Sequence, residues 1–125
     1  MGDLHAQVAR HAARYVEALR TLCQIPSVSF HGTGTTEAVE YLTAALRKLG
    51  ADVAVRETGG APPLIVGTLH GASERTLLLY NHYDVVPAEP LDAWTSPPFG
   101  AEVVDGRLVA RGASDNKGDL ASSIA

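Results

Sequence analysis

The stretch LLLYNHYDVVP, Leu77 to Pro87, decides how the chain is read: an apolar run delivers His82 and Asp84 to the point where a strand should stop. Three consecutive leucines put apolar side chains on both faces of a strand. That predicts a central strand covered on both sides, as in a layered α/β sheet. If the strand continues through Asp84, the two polar side chains share a face, because residues two apart do. Val85, Val86 and Pro87 then make the exit from the sheet apolar and stiff. Ligands of open α/β sheets bind just outside the carboxyl ends of strands, where this pair falls. An imidazole is a common ligand for zinc and similar ions, and its other ring nitrogen usually donates to a carboxylate or carbonyl, a place Asp84 is suited to fill. A histidine hydrogen-bonded at a strand end explains the same His-x-Asp equally well, so the motif by itself leaves both readings open.

Upstream, the periodicity is helical. From about Leu4 to Cys23, the residues Val8, Ala12, Tyr15, Leu19 and Leu22 recur at steps of four and three, and Pro26 ends the run. A second helix carries a stripe of Val39, Leu42, Leu46 and Leu49, with Thr35 or Thr36 as its N-cap. Glu37 and Glu40 lie near its start, Arg47 and Lys48 near its end, and Gly50 is its C-cap. The period then shortens. ADVAVRE, PLIVGTLH and RTLLLYNH read as strands separated by turns at TGGAPP and GASE. The proline-rich PAEPLDAWTSPPFG forms an irregular excursion pinned by Trp94 and Phe99, and AEVVDGRLVARG reads as a hairpin turning at Asp105 and Gly106.

Composition bounds the function. With 125 residues, 46% of them hydrophobic, the chain suits one modest globular domain. A formal net charge of -4 with scattered Lys and Arg offers no basic field for nucleic acid. The single cysteine, Cys23, forms no internal disulfide, fits a reducing compartment and reads as a buried small hydrophobe. The opening MGDLHAQVARHAAR carries charge where a signal peptide needs an apolar core, and no apolar run approaches the ~20 residues of a membrane span. The chain therefore reads as cytoplasmic, with no membrane partner. Gly2 does not make a myristoylation signal, since Ala6 stands where Ser or Thr is wanted.

A second chemical clue is ARGASDNKGDL. Asp115 lies between Gly112 and Gly118, and glycines so placed permit a backbone that other residues could not follow, often to aim a side chain. The plainer reading makes Asp115 the N-cap of a final helix that opens at KGDLASSIA. That helix has no C-cap and under three turns, so the chain reads as cut at its C-terminus.

YNHYDVVP, DAWTSPPF and DGRLVARGASDNKGDL, in this order, resemble the co-catalytic zinc peptidases and deacylases that include aminoacylase, carnosinase, succinyl-diaminopimelate desuccinylase and glutamate carboxypeptidase. The resemblance covers roughly residues 8 to 125, is strongest from Leu77 onward, and looks most like the dipeptidase-type members. It implies an α/β catalytic domain of layered helix, sheet and helix, with residues 1–125 as its N-terminal portion. It implies that His82 is a ligand of one metal ion, that Asp115 bridges two, and that Asp84 orients the histidine. The peptide bond after the bridging aspartate is often cis in that family. Two divalent cations, zinc with cobalt or manganese as alternatives, would hold a water, lower its pKa and polarise an amide carbonyl. The implied reaction is hydrolysis of a peptide or N-acyl amino acid, by an enzyme that often forms homodimers.

The resemblance also implies a general base, the first glutamate of a downstream Glu-Glu pair, and further ligands. Only ten residues follow Asp115, none of them glutamate or histidine. Glu89, Glu102, His70 and His31 fall where the family does not use them, and His5 and His11 belong to the first helix. The chain is thus expected to hold two of five ligands and to be inactive alone. Two other classes compete. A dinucleotide-binding module could use SVSFHGTGTTE as strand, Gly-x-Gly loop and helix, but Glu37 occupies the third glycine position, where a pyrophosphate should sit. A non-catalytic interaction domain would keep the fold without the activity. No Gly-x-Ser-x-Gly elbow or P-loop pattern occurs.

Overall fold

The computed structural model describes residues 3–124, so Gly2 lies outside it. Helix α1 spans Leu4–Gln24; the Asp3 side chain caps it by accepting from the His5 N–H at 3.0 Å, and Ile25 ends it in extended conformation ahead of Pro26. Only the C-terminal part of the predicted stripe is covered. Leu22 and Cys23 are buried, whereas Val8 and Ala12 are exposed, because the helix meets the rest of the chain through its last turns.

Helix α2 spans Thr35–Lys48. Its N-cap is not a threonine: Gly34, in left-handed conformation at φ 72°, takes that position, and Thr35 and Thr36 fall inside the first turn. A side chain at 34 would strike the backbone of Ser27 at 2.7 Å, so glycine is required by space as well as by φ. The C-terminus is the expected one. Gly50 at φ 86° donates to the Arg47 carbonyl at 2.9 Å and Ala51 donates to the Leu46 carbonyl at 3.1 Å, the paired bonds of a Schellman motif. Ala38, Leu42 and Thr43 form the buried face of α2, with Leu49 more exposed than the stripe predicts.

Strands β1 (Asp52–Arg56) and β2 (Leu64–Thr68) pair antiparallel, Val53 opposite Gly67 and Val55 opposite Ile65. Helix α2 packs on this hairpin, and Gly67 lets Leu46 approach its backbone. Strands β3 (Glu102–Val104) and β4 (Arg107–Val109) make the second hairpin, turning at Asp105 and Gly106 with φ 50° and 74°. Two successive positive φ angles are those of the turn that matches strand twist. Between the hairpins, Trp94 donates from its indole to the Ala88 carbonyl at 2.7 Å and stacks under Arg111, which pins the proline-rich excursion. Helix α3 spans Lys117–Ile124 and packs against α1.

The predicted third strand differs. Residues 75–84 have no strand partner among the described residues, and Leu77 and Leu78 are 82% and 85% exposed rather than covered on both faces. A strand exists by pairing, and no described strand lies alongside this segment. Order returns at its end, where Val85 forms a parallel bridge with Val28 and donates to the Ser27 carbonyl at 3.0 Å.

Candidate metal centre

That bridge fixes the segment carrying His82 and Asp84. Ser27, buried and at φ 38°, donates from its hydroxyl to the Tyr83 carbonyl at 2.7 Å, and Tyr83 donates from its phenol to the Pro63 carbonyl at 2.7 Å. Burial, then the charges of Asp84 and Glu57, push the Tyr83 phenol above its ordinary pKa, so it stays a neutral donor. With Tyr83 facing inward, His82 is left half-exposed on the opposite side.

Asp115 arrives from 33 positions away. Gly112 turns the loop at φ 84°, and a Cβ there would meet the Val85 side chain at 2.6 Å; a Cβ at Gly118 would collide with the Ala113 carbonyl. Both glycines that bracket Asp115 are therefore dictated by space, as their placement predicted. The Asp115–Asn116 peptide bond is cis. Asp115 precedes α3 but directs its carboxylate at His82, with Oδ1 2.9 Å from Nε2. Two residues that sequence reading did not single out as functional support the contact. The Asn116 side-chain carbonyl accepts the His82 backbone N–H at 3.3 Å, and Lys117 is buried beneath the loop. Lys117 had a legible signal: a cation on the first residue of a helix opposes the helix dipole, so its charge is used elsewhere.

The imidazole is held at both nitrogens by acceptors. Nδ1 lies 3.0 Å from the Asp84 backbone carbonyl and 3.4 Å from the Asp84 carboxylate, while Nε2 faces Asp115. A carbonyl and a carboxylate accept, so the metal-free arrangement favours a proton on both ring nitrogens. Partial burial pulls the His82 pKa down, but the Asp115 hydrogen bond, the Asp84 carbonyl and the two negative charges outweigh it and leave it raised. A cation at Nε2 would replace that proton.

The donor set suits a divalent ion in part. Imidazole nitrogen and carboxylate oxygen are zinc ligands, and two donors at ~2.1 Å on a tetrahedral ion stand about 3.4 Å apart. The observed 2.9 Å opens to that with a small rotation of Asp115, whose side chain is 88% exposed. Among the described residues no group of three or more His, Cys, Asp or Glu side chains converges on one point. His70 pairs instead with Asp52 at 3.2 Å, His31 stacks edge-on to Phe30, and Glu89 and Glu102 face solvent. His82 is half-exposed and Asp115 largely exposed; concavities are present at both hairpins, one lined by Val104, Asp105, Arg107 and Val109, the other by β1 and β2 residues.

The fold is that of part of the catalytic domain of a metallopeptidase. The chain superposes on a metallo-carboxypeptidase of the M20 family, Sso-CP2 from Sulfolobus solfataricus, with TM-score 0.83 and 37% identity over 88% of this chain and 25% of that one. Human carnosine dipeptidase 1 gives TM-score 0.83 and 29% identity over 95% of this chain and 28% of that one. Residues 78–125 match peptidase family M20/M25/M40, and most of the chain is similar to proteins of that family. It is 33% identical to the Cys-Gly metallodipeptidase dug1 of Schizosaccharomyces pombe over 96% of its own length and 28% of that protein's. It is 39% identical to the cysteinylglycine-S-conjugate dipeptidase of Corynebacterium striatum over 75% of its length and 21% of that protein's. The chain thus spans between 21% and 28% of the length of these relatives.

The dinucleotide reading is not favoured. Its Gly-x-Gly loop follows no strand of a parallel sheet, and β1 after α2 pairs antiparallel with β2 rather than returning beside an earlier strand. No helix among the described residues is long and apolar enough to cross a membrane.

Proposed function

We propose that these residues form the first part of the active site of a cytoplasmic, metal-dependent hydrolase that cleaves dipeptides or N-acyl amino acids at the amide bond. The observation that carries this is the meeting of His82 Nε2 and the Asp115 carboxylate at 2.9 Å, with Asp84 behind the imidazole. His82 and Asp115 would be the ligands this chain supplies, Asp115 being the one suited to share, and Asp84 would fix the ring orientation. Two divalent ions, zinc foremost, when bound supply an acidified water and polarise the substrate carbonyl. The residues here do the holding: Asp84 keeps the Nδ1 proton in place so that Nε2 points outward, and the glycine-bracketed loop presents Asp115 to it. Among the described residues no third ligand joins this pair, so the 125 residues alone bind a cation weakly and turn over no substrate. Relatives that act on Cys-Gly and on cysteinylglycine conjugates make small dipeptides the first substrates to test. In a protein that joins these residues to a complete site, zinc-dependent release of glycine from Cys-Gly should vanish in His82→Ala and in Asp115→Ala. An unchanged rate in either variant would sink the assignment.

A further inference from the structure

Asp115 does not hold itself in place. Its side chain is 88% exposed, and its one side-chain hydrogen bond among the described residues is the one to His82. Its position is therefore set by the main chain on either side. Lys117 closes that loop with its own N–H, which donates to the Gly112 carbonyl at 2.9 Å. The Lys117 ammonium, 0% exposed, reaches the end of α1 and donates to the carbonyls of Leu22 at 3.1 Å and Ile25 at 2.6 Å. Helix α1 has no basic residue in its last turn, so this lysine, 92 positions beyond Ile25, supplies the cation that a helix C-terminus favours.

The same few residues leaving α1 also hold the other half of the pair. Two positions after Ile25, Ser27 accepts from the Val85 N–H and donates to the Tyr83 carbonyl, on either side of Asp84 and next to His82. The exit of α1, Ile25 to Ser27, is thus a common reference. Through Ser27 it fixes the His82 segment, and through Lys117 it fixes the Asp115 loop.

We propose that Lys117 is a positioning residue: its buried ammonium locks the first residue of α3 onto the end of α1 and so holds Asp115 opposite His82. This rests on reading the pair as a metal site. Burying a lone cation is costly, and an apolar side chain of similar length would fill the space at less expense. What the apolar side chain could not supply is the fixed connection to two carbonyls. Removing the charge should release the Asp115 arm while Ser27 continues to hold the His82 arm, so the two ligands should come apart rather than weaken together.

The experiment is a zinc titration of the 125-residue chain followed by NMR at the His82 Nε2 nitrogen and the Asp115 carboxyl carbon, with far-UV circular dichroism to check folding. In the parent chain both signals should move with one midpoint. In Lys117→Met the His82 midpoint should rise about tenfold or more, in the range typical of lost ligand support, and the Asp115 carbon should no longer move with it. Lys117→Leu, which likewise removes the donors to both carbonyls, serves if Lys117→Met does not fold. Common movement at an unchanged midpoint in a folded variant overturns the positioning role and leaves the metal site intact. Unfolding of both variants overturns it in favour of a purely structural lysine. If zinc moves neither signal in the parent chain, the metal reading fails, and this inference with it.

Discussion

Asp84 holds His82 chiefly through its main chain: the carbonyl lies 3.0 Å from Nδ1, and the carboxylate 3.4 Å from the same nitrogen. The shorter contact survives any substitution of the side chain. Asp84→Asn should therefore weaken zinc binding at the lower end of the range for residues that support a ligand, about tenfold. A competition titration against a chromophoric chelator measures this. A loss beyond about 100-fold would mean that the carboxylate, not the carbonyl, sets the ring.

The raised pKa of His82 gives the metal-free chain and its metal complex opposite pH dependences. The folded chain holds the imidazolium proton more tightly than the unfolded chain, whose histidine titrates near ~6.5. The associated stability is present in full below that value and is lost as pH rises through the raised folded pKa. Zinc needs the neutral imidazole, so its affinity should climb over the same window, with up to one proton released per ion. Urea unfolding and zinc titration between about pH 5 and 8 test both slopes, and His82→Gln should flatten both. Parallel slopes would contradict the doubly donating ring.

Gly112 and Gly106 both have positive φ but differ in their surroundings. A Cβ at 112 meets Val85 at 2.6 Å, whereas at 106 it meets nothing within 4 Å. Gly106→Ala should cost about 1 kcal/mol, the conformational penalty alone. Gly112→Ala adds overpacking against the residue that carries the His82 segment to Ser27, and should cost about 3 kcal/mol or more in denaturant unfolding. Equal costs would mean that the loop gives way at no expense.

The first two helices, the strands of the first hairpin, the second hairpin and the glycine-framed Asp115 were legible because each depends on local pattern: a 3.6-residue stripe, an Asp-Gly turn, glycines around one acid. His-x-Asp was legible as a pair for the same reason. The Gly34 cap was not, because threonine is the better cap by propensity, and the left-handed φ and the close approach to Ser27 that rule out a side chain are set by the tertiary fold. The misplaced charge of Lys117 at a helix start was legible but its destination was not, because its partners are carbonyls 92 and 95 positions earlier, and carbonyls leave no mark in a sequence. The covered central strand was read correctly as apolar and wrongly as covered: composition states what a segment needs, and the partner lies in no described residue.

That unmet need has a consequence for the chain in solution. Leu77, Leu78 and Tyr80 are all more than 80% exposed, in an extended segment without a strand partner on either side among the described residues. Exposed apolar strands with free backbone groups pair with one another. The 125-residue chain should self-associate through this segment, each leucine buried contributing about 2 kcal/mol. Leu78→Lys places a charge on the segment four positions from His82 and should weaken association about 30-fold, the equivalent of one lost leucine. Sedimentation velocity over a concentration series reads this directly, and the zinc affinity of the variant should be unchanged. If the association is as strong in Leu78→Lys as in the parent chain, contacts between copies are made elsewhere.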